Sequence, residues 1–493
     1  MTTIDREVTK YPAVQNYIGG RFVASSAADA LDVTNPADGS VISRVPLSSS
    51  PDIDAAVQAA KKALPGWAAT TIKERVQVFY RYKALLEEHI DELAALVTEE
   101  NGKIDGEGRA EVLKSAELCE FACSLPQIAA GEVLEVSRGV ECRIERFPVG
   151  VVASITPFNF PNMVPNWTIP NALAFGNCMI LKPSEQVPLS AGRIAELLRE
   201  SGLPDGVLNI VHGGQATVEA ICDNPEIEGI SFVGSTRVAR IVYRRGTANL
   251  KRVLALGGAK NHLIVMPDAE PEMTSSNVVA SMSGCAGQRC MAASVMMAVG
   301  ATDHIIERMA IIMRGMKPGV HVGPVISPEA KKRIEGYITE AEKAGAKVLV
   351  DGRGAVVPGK ENGYYVGPTL IDHVTPEMRI ASEEVFGPVM VIIRSKDVEG
   401  AVAVQKRSRY GNAASVFTES GGVARYVMEN ASAGMVGVNV GVPVPREPFG
   451  FGGWNDSKFG VGDITGRGSI EFWTSSKKMT TKWNKEAGVN WMS

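Results

Sequence analysis

No stretch of the 493 residues approaches the ~18–20 consecutive apolar residues that a membrane-spanning helix needs, so no helical anchor is expected. The opening segment, MTTIDREVTKYPAVQNYIGG, has no apolar run, and no secretory signal is expected. Cysteine is sparse: seven residues, at 119, 123, 142, 178, 222, 285 and 290, an odd number with no CxxC pair. That pattern excludes a disulfide framework and a zinc ribbon. The six histidines form no HxxxH pair, so no metal site is expected. Strong charge of either sign is also missing; a net charge of −4 and a pI near 6.0 give no reason to expect nucleic acid or an anionic membrane as partner. A reducing, cytoplasmic setting fits these absences, and internal repeats and low-complexity tracts are missing too.

What remains is an ordinary enzyme composition, 45% hydrophobic and 22% charged. Domains usually hold ~100–200 residues, so the length predicts two or three. In 73–97, Phe79, Tyr82, Leu86, Ile90, Leu93 and Val97 recur at steps of three and four, which predicts one long helix. A second helix is expected over 107–127. The segment 130–150 has β-formers around a Gly turn and reads as a hairpin.

After residue 150 the texture changes. GVVASITP (150–157), CMILKP (178–183), LNIVHG (208–213) and GISFVGS (229–235) are short apolar runs ending in small or polar residues. Helical patterns at 163–175, 190–201, 215–223 and 237–247 separate them. This alternation predicts an α/β fold with a parallel sheet buried on both faces. Ligands in such sheets lie beyond the carboxyl ends of the strands, which brings 156–161, 182–185, 213–215 and 234–236 together. A second α/β pattern follows, with helices expected at 273–286, 328–344 and 398–406. Its strands are expected near 263–266, 293–298, 390–394 and 414–417. Gly and Pro cluster at 434–461, which reads as ordered loop near a site or interface, and 474–483 has strand character.

Cys290 sits in SGCAGQRCMAAS. A lone cysteine is more often a small core residue than a nucleophile. Here small residues precede it, and the adjacent Arg289 would favour a thiolate. Five strings then occur in order: ITPFNFP (155–161), LKPSE (181–185), FVGST (232–236), GQRC (287–290) and EEVFGPV (383–389). Together they resemble the aldehyde dehydrogenase superfamily, from about residue 15 to 483.

That resemblance implies a parallel-sheet NAD-binding domain, an α/β catalytic domain and a β-hairpin oligomerisation element. It implies Cys290 as nucleophile, with the Asn159 amide and the Cys290 backbone N–H as oxyanion donors. Thr156, Pro157 and Phe158 would line the cofactor from the same loop. Lys182, Ser184 and Glu185 would hold the adenosine ribose. A carboxylate there accepts two hydroxyls and repels a 2′-phosphate, so NAD is expected over NADP. Gly214 and Phe232 would flank the cofactor, and Gly234 and Ser235 would open a helix near the pyrophosphate. Ala239 stands where the family often has a second glycine. Glu384 and Phe386 would hold and pack the nicotinamide ribose.

One family feature is missing. Hydrolytic members carry a Glu before LGGK that activates water; the corresponding string here is LALGGAKNH (254–262), with Ala255 or Leu256 at that position. Neither can take a proton, and a thioester without a base hydrolyses slowly. A thiol acceptor avoids the difficulty. GAKNH, GQRCM and VGVNVGVPVP (436–445) resemble the CoA-acylating methylmalonate-semialdehyde dehydrogenase branch. By that resemblance malonate or methylmalonate semialdehyde would yield acetyl-CoA or propionyl-CoA, carbon dioxide and NADH. The alternative is a hydrolytic enzyme using another Glu, or one acting on a different acidic aldehyde, such as a sulfonate- or phosphonate-bearing one. In this branch one arginine precedes the nucleophile, matching Arg289. A second sits on the helix before the hairpin, where this chain places Lys114, a point charge without a bidentate fork. Arg109, five residues earlier, cannot share its helical face. PREPFGFGGWNDSKFG (445–460) is expected at the substrate mouth.

The expected division is an NAD-binding domain from 1–129 and 149–256, a catalytic domain over 257–469, and an oligomerisation element from 130–148 and 470–493. Hairpin and tail would extend a partner's sheet in a homodimer or homotetramer.

Overall fold

The structure, a computed structural model, describes residues 9–482. Five parallel strands form the centre of the first sheet. Their spatial order is Leu208–Ile210, Cys178–Lys182, Val151–Ile155, Gly229–Val233 and Arg252–Leu256. Val151–Ile155 and Cys178–Lys182 are buried at every position, as helices on both faces require. Ile155 lies opposite both Lys182 and Phe232, so the carboxyl ends are level and the loops after them meet. The Thr156 N–H continues the ladder, donating to Lys182 O at 3.0 Å.

The sheet has two edges that the sequence pattern did not signal. Tyr17, in a short hairpin, pairs with Ile210 at one side. At the other, Lys458 and Phe459 pair with Leu256 and Ala255. Strands of two or three residues are too short to show a period. Phe451, Ile464, Ile470, Phe472 and Trp473 join the core of this first sheet, so the chain returns to it after building the second.

The helix expected over 73–97 is two, Ile72–Glu88 and Ile90–Asn101. His89 at φ −96°, ψ 20° breaks them; its N–H closes the first on Leu85 O, and its carbonyl opens the second by accepting from Leu93 N. Phe79, Tyr82, Leu86, Leu93 and Val97 are all fully buried, so one apolar stripe runs through the break and hides it from a periodicity argument. Asp105–Ile128 matches the second expected helix.

The second sheet has seven strands, with Ala293–Val299 and Asn261–Val265 near its centre and Ala413–Phe417 beside the latter. All pair in parallel except Lys347–Val350. The helix expected at 273–286 ends earlier, at Ser283. A short 3₁₀ turn, Gly284–Gly287, follows, with Cys285 and Ala286 both at φ +51°. Side chains rarely adopt that region, at a cost of ~1–3 kcal/mol each, so the surroundings must hold this turn.

Hairpin strands Glu132–Ser137 and Val140–Pro148 form as expected. Thr474–Lys482 pairs antiparallel with the chain's own Val140–Pro148 along its whole length, from Thr474 opposite Pro148 to Lys482 opposite Val140. The reason is local: buried Trp473 is anchored by a 2.9 Å bond from Asn177 Nδ2 to its carbonyl, which delivers the next residue beside Pro148. Glu132–Ser137, exposed at all six positions, forms one edge of this three-stranded sheet, and Thr474–Lys482 forms the other. Residues 483–493 of the expected element lie outside the described residues.

Candidate active site

The nucleophile loop leaves the 3₁₀ turn and enters the strand Ala293–Val299. The Asp105–Ile128 helix holds the turn: the Cys285 N–H donates to Glu107 Oε1 at 2.6 Å. Arg289 Nε donates to Cys285 Sγ at 3.2 Å, and its Nη2 lies 3.6 Å from Glu107. The Cys290 thiol is pushed up to about 12, first by burial and then by the negative charge of Glu384. Arg289 pulls it down, the direction expected of a neighbouring cation, but burial and Glu384 outweigh it.

Asn159 is buried on the loop after Val151–Ile155, and its Nδ2 donates to Gln288 O at 2.9 Å. An amide nitrogen carries two hydrogens, so one bond orients the group and the other hydrogen remains for an oxyanion. A pair absent from the sequence reading fixes this loop. Lys103 Nζ donates to Glu111 Oε2 and to the Asn159 carbonyl, each at 2.5 Å, with both charged side chains essentially without exposure. Glu111 Oε1 accepts from Asn162 N and Met163 N at 2.8 and 3.0 Å, at the start of the helix Met163–Ala174. Glu107, Glu111 and Lys114 are spaced i, i+4, i+7 and form one face of the Asp105–Ile128 helix. The only sequence cue was that spacing of three charges along one helical face.

At the end of Cys178–Lys182, Lys182 Nζ lies 2.8 Å from Glu185 Oε2. Burial raises the Glu185 carboxyl, but Lys182 more than compensates and holds it below its usual range. Ser184 Oγ accepts from Gln186 N. Gly214 caps the helix Gln215–Asp223; its neighbour Gly213 is the constrained one, at φ +156°, where a Cβ would collide with Thr217 Oγ1. Phe232 closes the strand Gly229–Val233, and a Cβ on Gly234 would strike its ring. Ser235 caps the next helix, accepting from Val238 N. Glu384 Oε1 accepts from Ala259 N at 2.9 Å, and its carboxyl is raised to about 7 by burial. Gly258 leaves the space it needs, since a Cβ there would overlap Glu384 Oε2. Phe386, at φ +52°, packs edge-on against Phe158, with centroids 5.8 Å apart.

Lys114, expected at the substrate, is paired with protein carboxylates. Lys114 Nζ lies 2.8 Å from Glu447 and 2.9 Å from Glu117. Arg109 pairs with Asp91 at the surface, away from that face. Ala255 and Leu256 are buried inside the strand Arg252–Leu256. Among the described residues no cluster of His, Cys, Asp and Glu could hold a metal ion, and no helix is long and apolar enough to cross a membrane.

A profile of the aldehyde dehydrogenase family matches residues 22–479. The chain belongs to that family. Malonate-semialdehyde dehydrogenase 1 of Geobacillus kaustophilus (strain HTA426) is 44% identical over 478 residues, covering 96% of this chain and 98% of that protein. Malonate-semialdehyde dehydrogenase 2 of Geobacillus thermodenitrificans (strain NG80-2) is 45% identical over 484 residues, covering 96% and 100%. Among solved structures, methylmalonate-semialdehyde dehydrogenase from Oceanimonas doudoroffii superposes with a TM-score of 0.95 at 42% identity, covering 96% of this chain and 99% of that one. A Sinorhizobium meliloti 1021 protein described under the same activity, and solved with NAD, gives 0.95 at 39%, covering 98% and 100%.

The aldehyde dehydrogenase fold thus explains why loops distant in sequence converge. The Asn159 loop, the Lys182–Glu185 turn and the Gly234–Ser235 turn leave one sheet. The Cys290 loop and the 383–389 loop adjoin the other, and Phe158 against Phe386 joins the two sets. Glu185 and Glu384 present half-buried carboxylates, a set of acceptors that suits the hydroxyls of a dinucleotide.

Proposed function

We propose that this aldehyde dehydrogenase oxidises malonate or methylmalonate semialdehyde with NAD and passes the acyl group to CoA. The observation that carries the reading is the base position: Ala255 and Leu256 lie in a buried strand and offer no carboxylate to activate water. The names of the relatives at 44–45% identity agree with it.

In this reading the Cys290 sulfur adds to the aldehyde carbon and gives up its proton to solvent. The new oxyanion is held by Asn159 and the Cys290 N–H. Lys182, Glu185, Glu384 and Phe386 would hold NAD, which when bound supplies the acceptor for the hydride. Cys290 is left carrying a thioester. The carboxylate on the carbon next to the thioester carbonyl leaves as carbon dioxide, its bonding electrons moving toward that carbonyl and a proton replacing it. A CoA thiolate then attacks the thioester carbon and Cys290 departs as thiolate. Arg289, cationic and close to the nucleophile in sequence, and Lys114 would attract the substrate carboxylate.

A hydrolytic reading has one observation in its favour: Glu384, raised to about 7 and felt by Cys290, is a carboxylate poised to accept a proton. The deciding experiment follows NADH formation with both semialdehydes, with and without CoA, and identifies the acyl product by mass spectrometry. CoA-dependent turnover with acetyl-CoA or propionyl-CoA supports acylation. Equal turnover without CoA, yielding free acid, overturns it and points to Glu384.

A further inference from the structure

The Cys290 carbonyl oxygen accepts two side-chain hydrogen bonds, from Asn261 Nδ2 at 2.8 Å and from Asn412 Nδ2 at 2.9 Å. Both asparagines are buried, at 3% and 6% exposure. Asn261 begins the strand Asn261–Val265, and Asn412 immediately precedes the neighbouring strand Ala413–Phe417. On the other side of Asn261 runs Ala293–Val299, the strand into which the nucleophile loop leads. Asn261 is oriented by two further bonds: its Nδ2 reaches Ala292 O at 2.9 Å, and its Oδ1 accepts from Ala413 N at 3.1 Å. Asn412 has Met291 Sδ as its other contact.

A carbonyl oxygen has two lone pairs, and here both are taken. One consequence is mechanical. With its carbonyl held from two strands, Cys290 cannot rotate about its Cα–C bond, and the residue stays aligned with Asn159, which grips Gln288 two positions earlier. The other is chemical. The carbonyl adjoining the reactive sulfur has no acceptor left with which to anchor a water. Ala255 and Leu256 supply no base there either.

We propose that Asn261 and Asn412 are positioning residues that fix the nucleophile and deny its backbone carbonyl to water, so that the thioester waits for a thiol. The partitioning half of this inference rests on the acyl-CoA reading; the alignment half does not.

The test uses Asn412→Ala, whose lost contacts are few, and Asn261→Asp, which keeps the acceptor for Ala413 N–H while removing the donor to Cys290. Two quantities are read in the full-length enzyme: the rate of Cys290 alkylation by iodoacetamide, and the ratio of free acid to acyl-CoA at saturating CoA. Loss of one such bond should change alkylation about fivefold. The free-acid share should rise by a similar factor in Asn412→Ala, with the KM for NAD unchanged and the kcat for acyl-CoA reduced. Variants that melt like the parent and leave both readings unmoved overturn the proposal. If Asn261→Asp does not fold, Asn412→Ala decides alone. If the parent enzyme makes only free acid even with CoA, the acyl-CoA reading falls, and the alkylation rate still decides whether the clamp aligns Cys290.

Discussion

Lys114 Nζ lies 2.8 Å from Glu447 Oε2, so the helix that carries the nucleophile loop's anchor is tied to the loop expected at the substrate mouth. The lysine proposed to meet a substrate carboxylate is held by a protein carboxylate, and the substrate would have to compete with it. If Lys114 does attract the substrate, Lys114→Met should raise the KM for malonate semialdehyde about two- to fivefold, the worth of a partly exposed ion pair. The KM for propanal, which has no carboxylate, should stay put. Glu447→Gln should lower the semialdehyde KM by freeing the lysine. Parallel changes for both aldehydes would show that the pair shapes the mouth without reading charge.

Glu384 sets a pH signature. Its carboxyl is raised to about 7 from an ordinary 4.5 by burial, and its ionised form helps push the Cys290 thiol to about 12. Glu384→Gln removes that charge at every pH. Alkylation of Cys290 should therefore be faster in the variant above pH 7, and the two rates should converge below it, where the parent's Glu384 is itself neutral. Stability carries the matching sign. Between 4.5 and about 7 the folded chain keeps a proton that the unfolded chain gives up, so this group makes stability fall as pH rises through that window. Melting curves across it should be flatter for the variant. A constant ratio of alkylation rates from about pH 6 to about pH 9, a span that brackets the raised carboxyl, would mean that Cys290 does not feel Glu384.

In the proposed reading, Glu185 selects the cofactor. Held ionised by Lys182 at 2.8 Å, it would meet a 2′-phosphate with like charge. Glu185→Ser should improve kcat/KM for NADP relative to NAD by roughly tenfold or more, since facing like charges cost several kcal/mol and about 1.4 kcal/mol is a factor of ten. An unchanged ratio would move the discrimination elsewhere.

What the sequence made legible follows from what each signal needs. The strand–helix alternation from Val151 to Ala248 was readable because buried parallel strands show as unbroken apolar runs. The residues proposed as nucleophile, oxyanion donor and ribose ligands could be named because each lies within a short contiguous string that carries the family resemblance. The break at His89 was not, since a continuous buried stripe crosses it. Lys103 and Glu111 were not, because a buried ion pair eight residues apart looks like two surface charges until the helix supplies their common partner, the Asn159 loop. The tail's pairing with its own hairpin was not, since strand character identifies an edge without saying whose edge it fills.

The hairpin edge left open by that pairing carries Val133, Leu134 and Val136, exposed by 67%, 67% and 52%. An apolar unpaired edge invites another strand. We propose that a second copy of the chain covers it. Val133→Lys with Leu134→Lys should lower the mass seen by light scattering while leaving the helical signal intact. An unchanged mass would assign assembly to another surface.

The buried Lys103–Glu111 pair yields the sharpest stability test. Lys103→Met strands a carboxylate with essentially no exposure, and breaking such a pair costs about 3–5 kcal/mol. Removing both charges, Lys103→Met with Glu111→Leu, would ordinarily recover most of that loss, because a well-packed apolar pair often replaces a buried ion pair without penalty. Here recovery should be incomplete. Glu111 also accepts the N–H groups of Asn162 and Met163, and two buried donors left without partners cost about 1–3 kcal/mol each. The Asn159 carbonyl would lose its ammonium as well, so kcat should fall along with the melting temperature. A double variant with parental stability and parental kcat would mean that the pair fills space and does not hold the oxyanion loop.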